Sequence, residues 1–591
     1  VRYRSHFISL FSLAAILCAT PTYAGPVNGR VVDPDRRPVA GAQVLLVGGG
    51  IPVRSAATNA RGEFTMTAPD SGRYELRVAV EGFRADPVVF EASTAARDVG
   101  TLDLAVSAVS ETLVVSAAQV EIPLSQASSA ISVITGLELH DRQLTTVADA
   151  LRQVPGLAVA RAGGAGALTS VFPRGGESDY TLVYIDGIQV NSFGGGFDFA
   201  HLATANIDRI EIVRGPQSAL YGSNAIGAVV RIVTRQGGAA RGGASIEAGS
   251  FGTSRATAST SGSASGWSWG GGVDRLASDG FNGQRTAAGE EIGNDRYTRT
   301  EVGGTGSWQS ASGASLRSEL RFAHDDRGFP GAFGSNPIGA FSGVDLTSRG
   351  TDDRWSGALG GTVPFGRRVR THAHVTWNTN DGEYVSPFST STSGSRRVTA
   401  RAQTDISLVP GLDVSAGAEL QRERVASSYI EDNAGEIPIE RSIGGYFGEA
   451  RWSAANRLFA TGGVRIEHIH RGAVGALDSL RPAMPSDDIA SVNPKISAAY
   501  YLRARQGSET KVRASAGTGI RPPDGFELAF TDNPALQPER SRSFEAGIDQ
   551  AFASGRGLVE ATWFRNTFDD LIVAVGRFVG SSRYRTDNIS N

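Results

Sequence analysis

The chain has 591 residues, 40% of them hydrophobic and 20% charged, with a formal net charge of −3. That length allows several domains or one very large β-structure, and the balanced charge gives no electrostatic case for a nucleic-acid partner. Lysine occurs only at Lys495 and Lys511, so nearly all positive charge is arginine. Genomic base composition is the plainer explanation, though a planar guanidinium also suits a polar interior lined with carboxylates.

The first 24 residues read as a signal peptide. Arg2 and Arg4 precede an apolar run at 7–18, and Thr22-Tyr23-Ala24 offers a small-residue cleavage site. The run is too short for a membrane helix. The single cysteine, Cys18, lies inside it behind Leu17, which argues against a lipoprotein signal. Cleavage would leave a cysteine-free chain, without disulfides or thiolate metal sites. No later stretch reaches the ~18 consecutive apolar residues of a membrane helix. An exported chain of this kind can still enter a membrane as a closed β-barrel, because closure satisfies every backbone hydrogen bond.

Residues 25–105 read as a small β-sandwich of short strands separated by Gly, Pro and Asp turns. The succession Val27-x-Gly29-x-Val31-x-Asp33, Pro38-Val39-Ala40-Gly41-Ala42-x-Val44, Thr58-x-x-x-Gly62-x-Phe64, Gly72-x-Tyr74-x-Leu76-x-Val78 and Gly82-Phe83 resembles the carboxypeptidase regulatory-like domain. The resemblance implies a fold and no activity. None of the eight histidines has the H-x-x-E or H-E-x-x-H spacing of a zinc peptidase. No Gly-Lys dipeptide is present to form a Walker A loop, so the chain is not expected to be an enzyme. His372/His374 and His468/His470 each share one face of a strand, which permits chelation geometrically. A polar, lumen-facing position is the plainer reading, and no metal site is assigned.

Residues 106–126 form a linker. Within it Glu111, Thr112, Leu113, Val114, Val115, Ser116 and Ala117 make a β-prone run that can add a strand to another protein. The run closely resembles a TonB box, above all that of cobalamin receptors. The alternative is a last strand of the preceding sandwich.

Residues 127–237 read as an α+β unit with Gly-rich loops. A strand at 131–135 precedes a helix at 146–154 that stops at Pro155-Gly156. Phe172-Pro173-Arg174-Gly175-Gly176, the run at 181–191 with its Asp186-Gly187 turn, the run at 207–216, Leu220-Tyr221-Gly222 and the strand at 227–234 follow in order. Together they resemble the plug domain of TonB-dependent receptors along its full length. The resemblance implies that Arg174 and Arg214 pair with barrel glutamates, and Glu539 and Glu545 of a late motif are the matching candidates. Such pairs are expected to be hydrated and easily broken. It also implies that the Gly-rich loops, carrying Phe193, Phe197, Asp198 and Phe199, face the ligand; plug–barrel packing is the competing role for the phenylalanines.

Residues 238–591 alternate strictly at 316–322, 369–377, 511–516 and 559–563, with Arg and Glu on the polar face. That pattern fits strands facing lipid outside and water inside. The motif from Thr518-Gly519-Ile520-Arg521-Pro522-Pro523 to Glu539 and Glu545-Ala546-Gly547 resembles a late-barrel motif of the same family. The expected fold is therefore mainly β: an N-terminal β-sandwich, an α+β plug and an antiparallel transmembrane β-barrel. The family expectation is 22 strands, and the stop at Asn591 reads as a C-terminal truncation of that barrel.

The resemblance implies a monomeric, multi-pass protein of the cell outer membrane, in contact with outer-membrane lipid. Its implied function is TonB-dependent transport of a scarce, bulky ligand, such as cobalamin or a ferric siderophore, with a TonB-type energy-transducing partner. No cofactor is implied beyond the iron or cobalt of the ligand, and bound calcium would be compatible. A plug and TonB box are superfluous to a passive porin. A surface-binding or signalling receptor without net import is the alternative that the N-terminal sandwich keeps open.

Overall fold

The computed structural model describes residues 24–589 apart from 49–50, 81–82, 107–112, 115–119, 121, 194–195, 239, 281–294, 311, 330–346, 388, 429–430, 433–434, 477–481, 506–507, 532, 554–555 and 578–583. The signal segment, except Ala24, lies outside the described residues.

The first unit contains β1 (Pro26–Val32), β2 (Gln43–Gly48), β3 (Ile51–Ala57), β4 (Glu63–Thr67), β5 (Gly72–Val80), β6 (Phe83–Ala85), β7 (Val88–Ala92) and β8 (Arg97–Val106). Their order is β3-β2-β5-β6-β8-β1-β4, with β7 also on β5. The period-2 pattern of β4 turns Phe64 and Met66 inward, where they meet Val27, Val44, Leu46, Tyr74 and Leu76 in one core. Gly62 closes the turn before β4 with φ +73°, and a Cβ there would lie 2.5 Å from the Val31 carbonyl oxygen.

β9 (Leu113–Val114) pairs with β10 (Ile122–Pro123), Val114 opposite Ile122. Among the described residues β9 has no rung to the sandwich.

The α+β unit holds β11 (Ile131–Thr135), α1 (Gly136–Asp141), α2 (Val147–Leu151), β12 (Leu157–Arg161), β13 (Thr169–Pro173), β14 (Thr181–Ile185), β15 (Ile188–Gln189), β16 (Ile207–Arg214), α3 (Ser218–Tyr221) and β17 (Ala228–Thr234). Its main sheet runs β11-β16-β17-β14-β15, while β12 and β13 pair separately. The helix expected at 146–154 forms only over Val147–Leu151; Thr146 caps its start by accepting the Asp149 N–H. Pro155 disfavours α geometry at Val154, which accounts for the early end. α1 has no counterpart among the expected elements; Thr135 caps it by the same chemistry. The β14–β15 hairpin turns on Asp186 (φ 49°) and Gly187 (φ 96°), the left-handed pair that a two-residue turn requires.

The third unit is an antiparallel sheet of 15 strands. It comprises β18 (Arg241–Ala248), β19 (Ser254–Ala264), β20 (Trp267–Ser278), β21 (Tyr297–Gln309), β22 (Ser315–Gly328), β23 (Arg349–Phe365), β24 (Val369–Val385), β25 (Thr390–Val409), β26 (Leu412–Ser427), β29 (Ile439–Ala454), β30 (Leu458–Arg471), β31 (Asp487–Arg505), β32 (Ser508–Arg521), β33 (Glu539–Phe552) and β34 (Gly557–Asp569). A small ladder of β27 (Glu431–Asp432) and β28 (Gly435–Glu436) interrupts the sequence, and α4 (Gly525–Phe530) lies between β32 and β33. β35 (Leu571–Arg577) pairs with β36 (Tyr584–Ile589) in a ladder of its own.

Short turns join the strands at one end and long connections at the other, which is the asymmetry of an outer-membrane barrel. Side chains alternate as expected. On β25, Arg397, Gln403 and Asp405 are buried inward, whereas Val398, Ala400 and Ala402 are exposed outward. His372 and His374 take half-buried inward positions, as the plainer reading expects. His468 and His470 do not: Arg465 and Glu467 occupy the inner face of β30, so the residues of opposite parity point outward. Among the described residues no helix is long and apolar enough to cross a membrane, which says nothing of a β-barrel. The sandwich meets the short-turn end, where Arg367 lies 3.2 Å from Asp70 and Arg54 donates to the Ser310 carbonyl at 3.3 Å.

Candidate functional site

The α+β unit is fastened to the inner face of the sheet at points spread across it. Asp186 reaches Arg317 and Arg321 of β22 at 3.5 and 3.8 Å. The Asn191 carbonyl accepts from Arg397 of β25, and the Ser223 hydroxyl donates to Glu467 of β30 at 2.7 Å. Lys495 of β31 donates to Gln217, Asp179 lies 3.1 Å from Arg521 of β32, and Arg174 lies 2.9 Å from Glu545 of β33.

Of the four residues expected to form plug–barrel ion pairs, two do so with each other. Glu545 receives Arg174 and also the Ala130 N–H at 2.9 Å. This pair is enclosed rather than hydrated, with side-chain exposures of 3% and 4%. Arg214 stays inside its own unit, donating to the Pro155 carbonyl at 2.7 Å and the Ser132 hydroxyl at 2.9 Å. Glu539 pairs with Arg521 at 2.5 Å and accepts from the Tyr180 hydroxyl and the Ile572 N–H. The expected Arg214 and Glu539 partnerships are thus corrected: each finds a nearer polar partner along its own unit.

Pairs of the opposite polarity, plug aspartate to barrel arginine, also join the two units and carry no motif signal in the sequence. Asp186 is legible in sequence only as a turn residue, yet its carboxylate also accepts from Thr234 N–H and hydroxyl. Asp198 forms another such pair, 2.8 Å from Arg327. Burial opposes its ionisation, but hydrogen bonding and charge from His201 and the N–H groups of Ala200 and Thr169 hold its carboxyl well below the usual range. His201 in turn shares hydrogen-bonding distance with Tyr297 at 2.8 Å and lies 3.5 Å from Asp325.

The loop phenylalanines mostly pack. Phe199 is fully buried in the plug core with Leu151, Val183, Ile210 and Val230, and Phe197 meets it edge-on at 4.9 Å. Phe193 is buried among Val425, Ile439, Val474, Met484 and Leu528, with the Arg441 guanidinium 4.2 Å over its ring. Phe193 and Phe199 therefore do not present free faces to a ligand, since burying large aromatic surface outweighs exposure. Phe193 links the plug to long-connection residues: its carbonyl accepts the Gly525 N–H of α4 at 2.8 Å. Asp179, Asp524 and Glu527 converge with ligand-like spacing, but Arg521 already lies 3.1, 3.7 and 2.6 Å from them.

Of residues 111–117, Leu113 and Val114 form β9, while Glu111, Thr112, Val115, Ser116 and Ala117 lie outside the described residues.

Comparison with known proteins agrees with this architecture. The description "TonB dependent receptor-like, beta-barrel" matches residues 240–591, "TonB-dependent Receptor Plug Domain" residues 123–229, and "Carboxypeptidase regulatory-like domain" residues 26–107. The chain is 27% identical over 463 residues to a vitamin B12 transporter of Photobacterium profundum, covering 74% of this chain and 67% of that protein. It is 38% identical over 151 residues to the vitamin B12 transporter of Vibrio vulnificus, a match spanning only 25% of each protein. The alcaligin outer-membrane receptor of Bordetella pertussis shares the fold, with TM-score 0.61 and 17% identity over 82% of this chain and 78% of that one. The family match alone spans more than half of the sequence: the chain belongs to the TonB-dependent receptors, β-barrel proteins of the outer membrane.

Proposed function

We propose that this receptor imports a scarce, bulky ligand, cobalamin or a ferric siderophore, with work delivered by a TonB-type partner at residues 111–117. The observation that supports the reading is a plug held across the sheet by discrete polar contacts, directly behind a β-prone segment with only a two-residue ladder. Passive diffusion needs neither part. Between the two ligand classes, the vitamin B12 transporter relatives favour cobalamin.

The test is uptake of labelled cobalamin and of ferric alcaligin by cells carrying the full receptor, before and after the proton gradient is collapsed. Accumulation of one ligand that stops on collapse supports energised import. Accumulation that continues without the gradient, or surface binding of both ligands with no accumulation, refutes it.

A further inference from the structure

The N-terminal sandwich is seated on the short-turn rim along a wide arc. Asp70, just ahead of β5, pairs with Arg367 in the β23–β24 turn at 3.2 Å. Gly72 opens β5 with φ +147°, and a Cβ there would collide with the same guanidinium, so glycine is required both by conformation and by space. Arg54 of β3 is buried and donates to the Ser310 carbonyl in the β21–β22 turn at 3.3 Å. The Gly41 turn meets the Arg241 guanidinium at the start of β18. The charge of Arg77 on β5 reaches Asp413 at the start of β26. The seat thus runs from β18 to β26 in the order of the sheet.

The plug enters the barrel at another sector of that rim. The Ser125 carbonyl accepts from the Tyr501 hydroxyl of β31 at 2.9 Å, and the Ala127 carbonyl from Lys511 of β32 at 3.4 Å. The Ser128 hydroxyl donates to Ser497 of β31 at 2.9 Å. In the sheet order β29 and β30 lie between these strands and β26. The sandwich ends with β8 at Val106, so the stretch from Val106 to Ser125, which holds β9, is tied at its two ends to different sectors of one wall. Within that stretch β9 folds back on β10, which takes up length. Exchanging β10 for a partner's strand returns that length while both ends stay in place.

We infer that the sandwich is a stationary anchor: it stays docked through the Asp70–Arg367 and Arg54–Ser310 contacts while work is applied, and keeps β9 at the short-turn mouth, within a partner's reach. The role rests on the proposed coupling to a TonB-type partner. Fixing both ends of a segment removes freedom that a partner would otherwise have to remove on binding. Polar inter-domain contacts are individually weak, but several engaged at once hold a domain through effective concentration.

The test uses the full receptor in outer membranes, with Asp70→Cys and Arg367→Cys joined by a reducible thiol crosslinker. Heat-modifiable mobility verifies that each variant is folded. The link is expected to form in most of the receptor, with and without ligand. The linked receptor should accumulate labelled cobalamin or ferric alcaligin, whichever the wild type takes up, at the rate seen after reduction. Binding of the periplasmic domain of a TonB-type protein gives a readout independent of import. Arg367→Asp should weaken that binding by about tenfold, and Asp70→Arg combined with Arg367→Asp should restore it. A folded receptor that does not crosslink, or import that the link blocks and reduction restores, would overturn the anchor. So would partner binding that is absent in the wild type or undiminished in Arg367→Asp. If the wild type accumulates neither ligand, the import reading fails by itself, and crosslinking and partner binding still decide the anchor.

Discussion

Arg174 of the plug and Glu545 of the barrel wall lie 2.9 Å apart, and both side chains are almost wholly enclosed. The Phe564 ring covers the guanidinium at 4.4 Å. Removing one member of a buried pair strands the other charge, at about 3–5 kcal/mol, whereas removing both is far milder. Arg174→Met and Glu545→Gln should each weaken plug seating strongly, and the double variant less than their sum. Conductance through planar bilayers reads plug displacement directly. Strictly additive effects would show that the two charges do not depend on each other.

Asp186 bears on the same seating from the opposite side. Its carboxylate faces Arg317 and Arg321 while accepting two hydrogen bonds from Thr234. Asp186→Ala removes both arginine contacts and the two acceptors, and also replaces a residue at φ 49°. A loss of about 2–4 kcal/mol in plug stability is expected, the range for a buried charge separated from its partners. Asp186→Asn, which keeps the turn and some hydrogen bonding, should recover part of it. If denaturant midpoints for plug release are unchanged in both, the contact is incidental.

How much of this was legible in sequence depended on the range of the interaction. Strand alternation at 369–377 follows from backbone period alone, and so does the Asp186-Gly187 turn. Arg174 and Glu545 carried a signal through their motif contexts. Arg214 had the same Arg-Gly context, but its partner was chosen by Pro155 and Ser132, whose approach depends on tertiary packing. The fate of Phe193 was likewise illegible, because Val474, Met484 and Leu528 reach it from residues hundreds of positions away. The outward turn of His468 and His470 required knowing that Arg465 and Glu467 face in.

Glu177 supplies a pH dependence. Burial, then the charges of Asp179 and Glu539, push its carboxyl up to about 7. A carboxyl held more basic in the seated plug than in the unfolded chain binds its proton more tightly when seated. Its contribution is full below the unfolded value near 4.5 and is lost as pH rises through about 7. The residue as a whole is exposed, so solvent screening limits the effect. Plug release temperature should fall modestly between pH 5 and 8 in the wild type and be flatter in Glu177→Gln. The same slope in both proteins would assign the dependence to another group.

The last prediction concerns energy coupling. The outer membrane maintains no ion gradient of its own, and no Gly-Lys phosphate loop occurs in the sequence. On the proposed function, work for uphill transport arrives from a partner, and residues 111–117 are the proposed handle. Within them Val114 stands opposite Ile122 in a ladder of two rungs, short enough to be exchanged for a partner's strand. Proline at 114 removes a backbone donor and fixes φ, which disrupts any added strand. The plug's own fastenings, from Arg174 to Asp198, are untouched by that change. Val114→Pro should therefore abolish accumulation of the labelled ligand while leaving its surface affinity within about threefold, less than one hydrogen bond's worth. A variant that still accumulates ligand at the wild-type rate would show that coupling enters elsewhere.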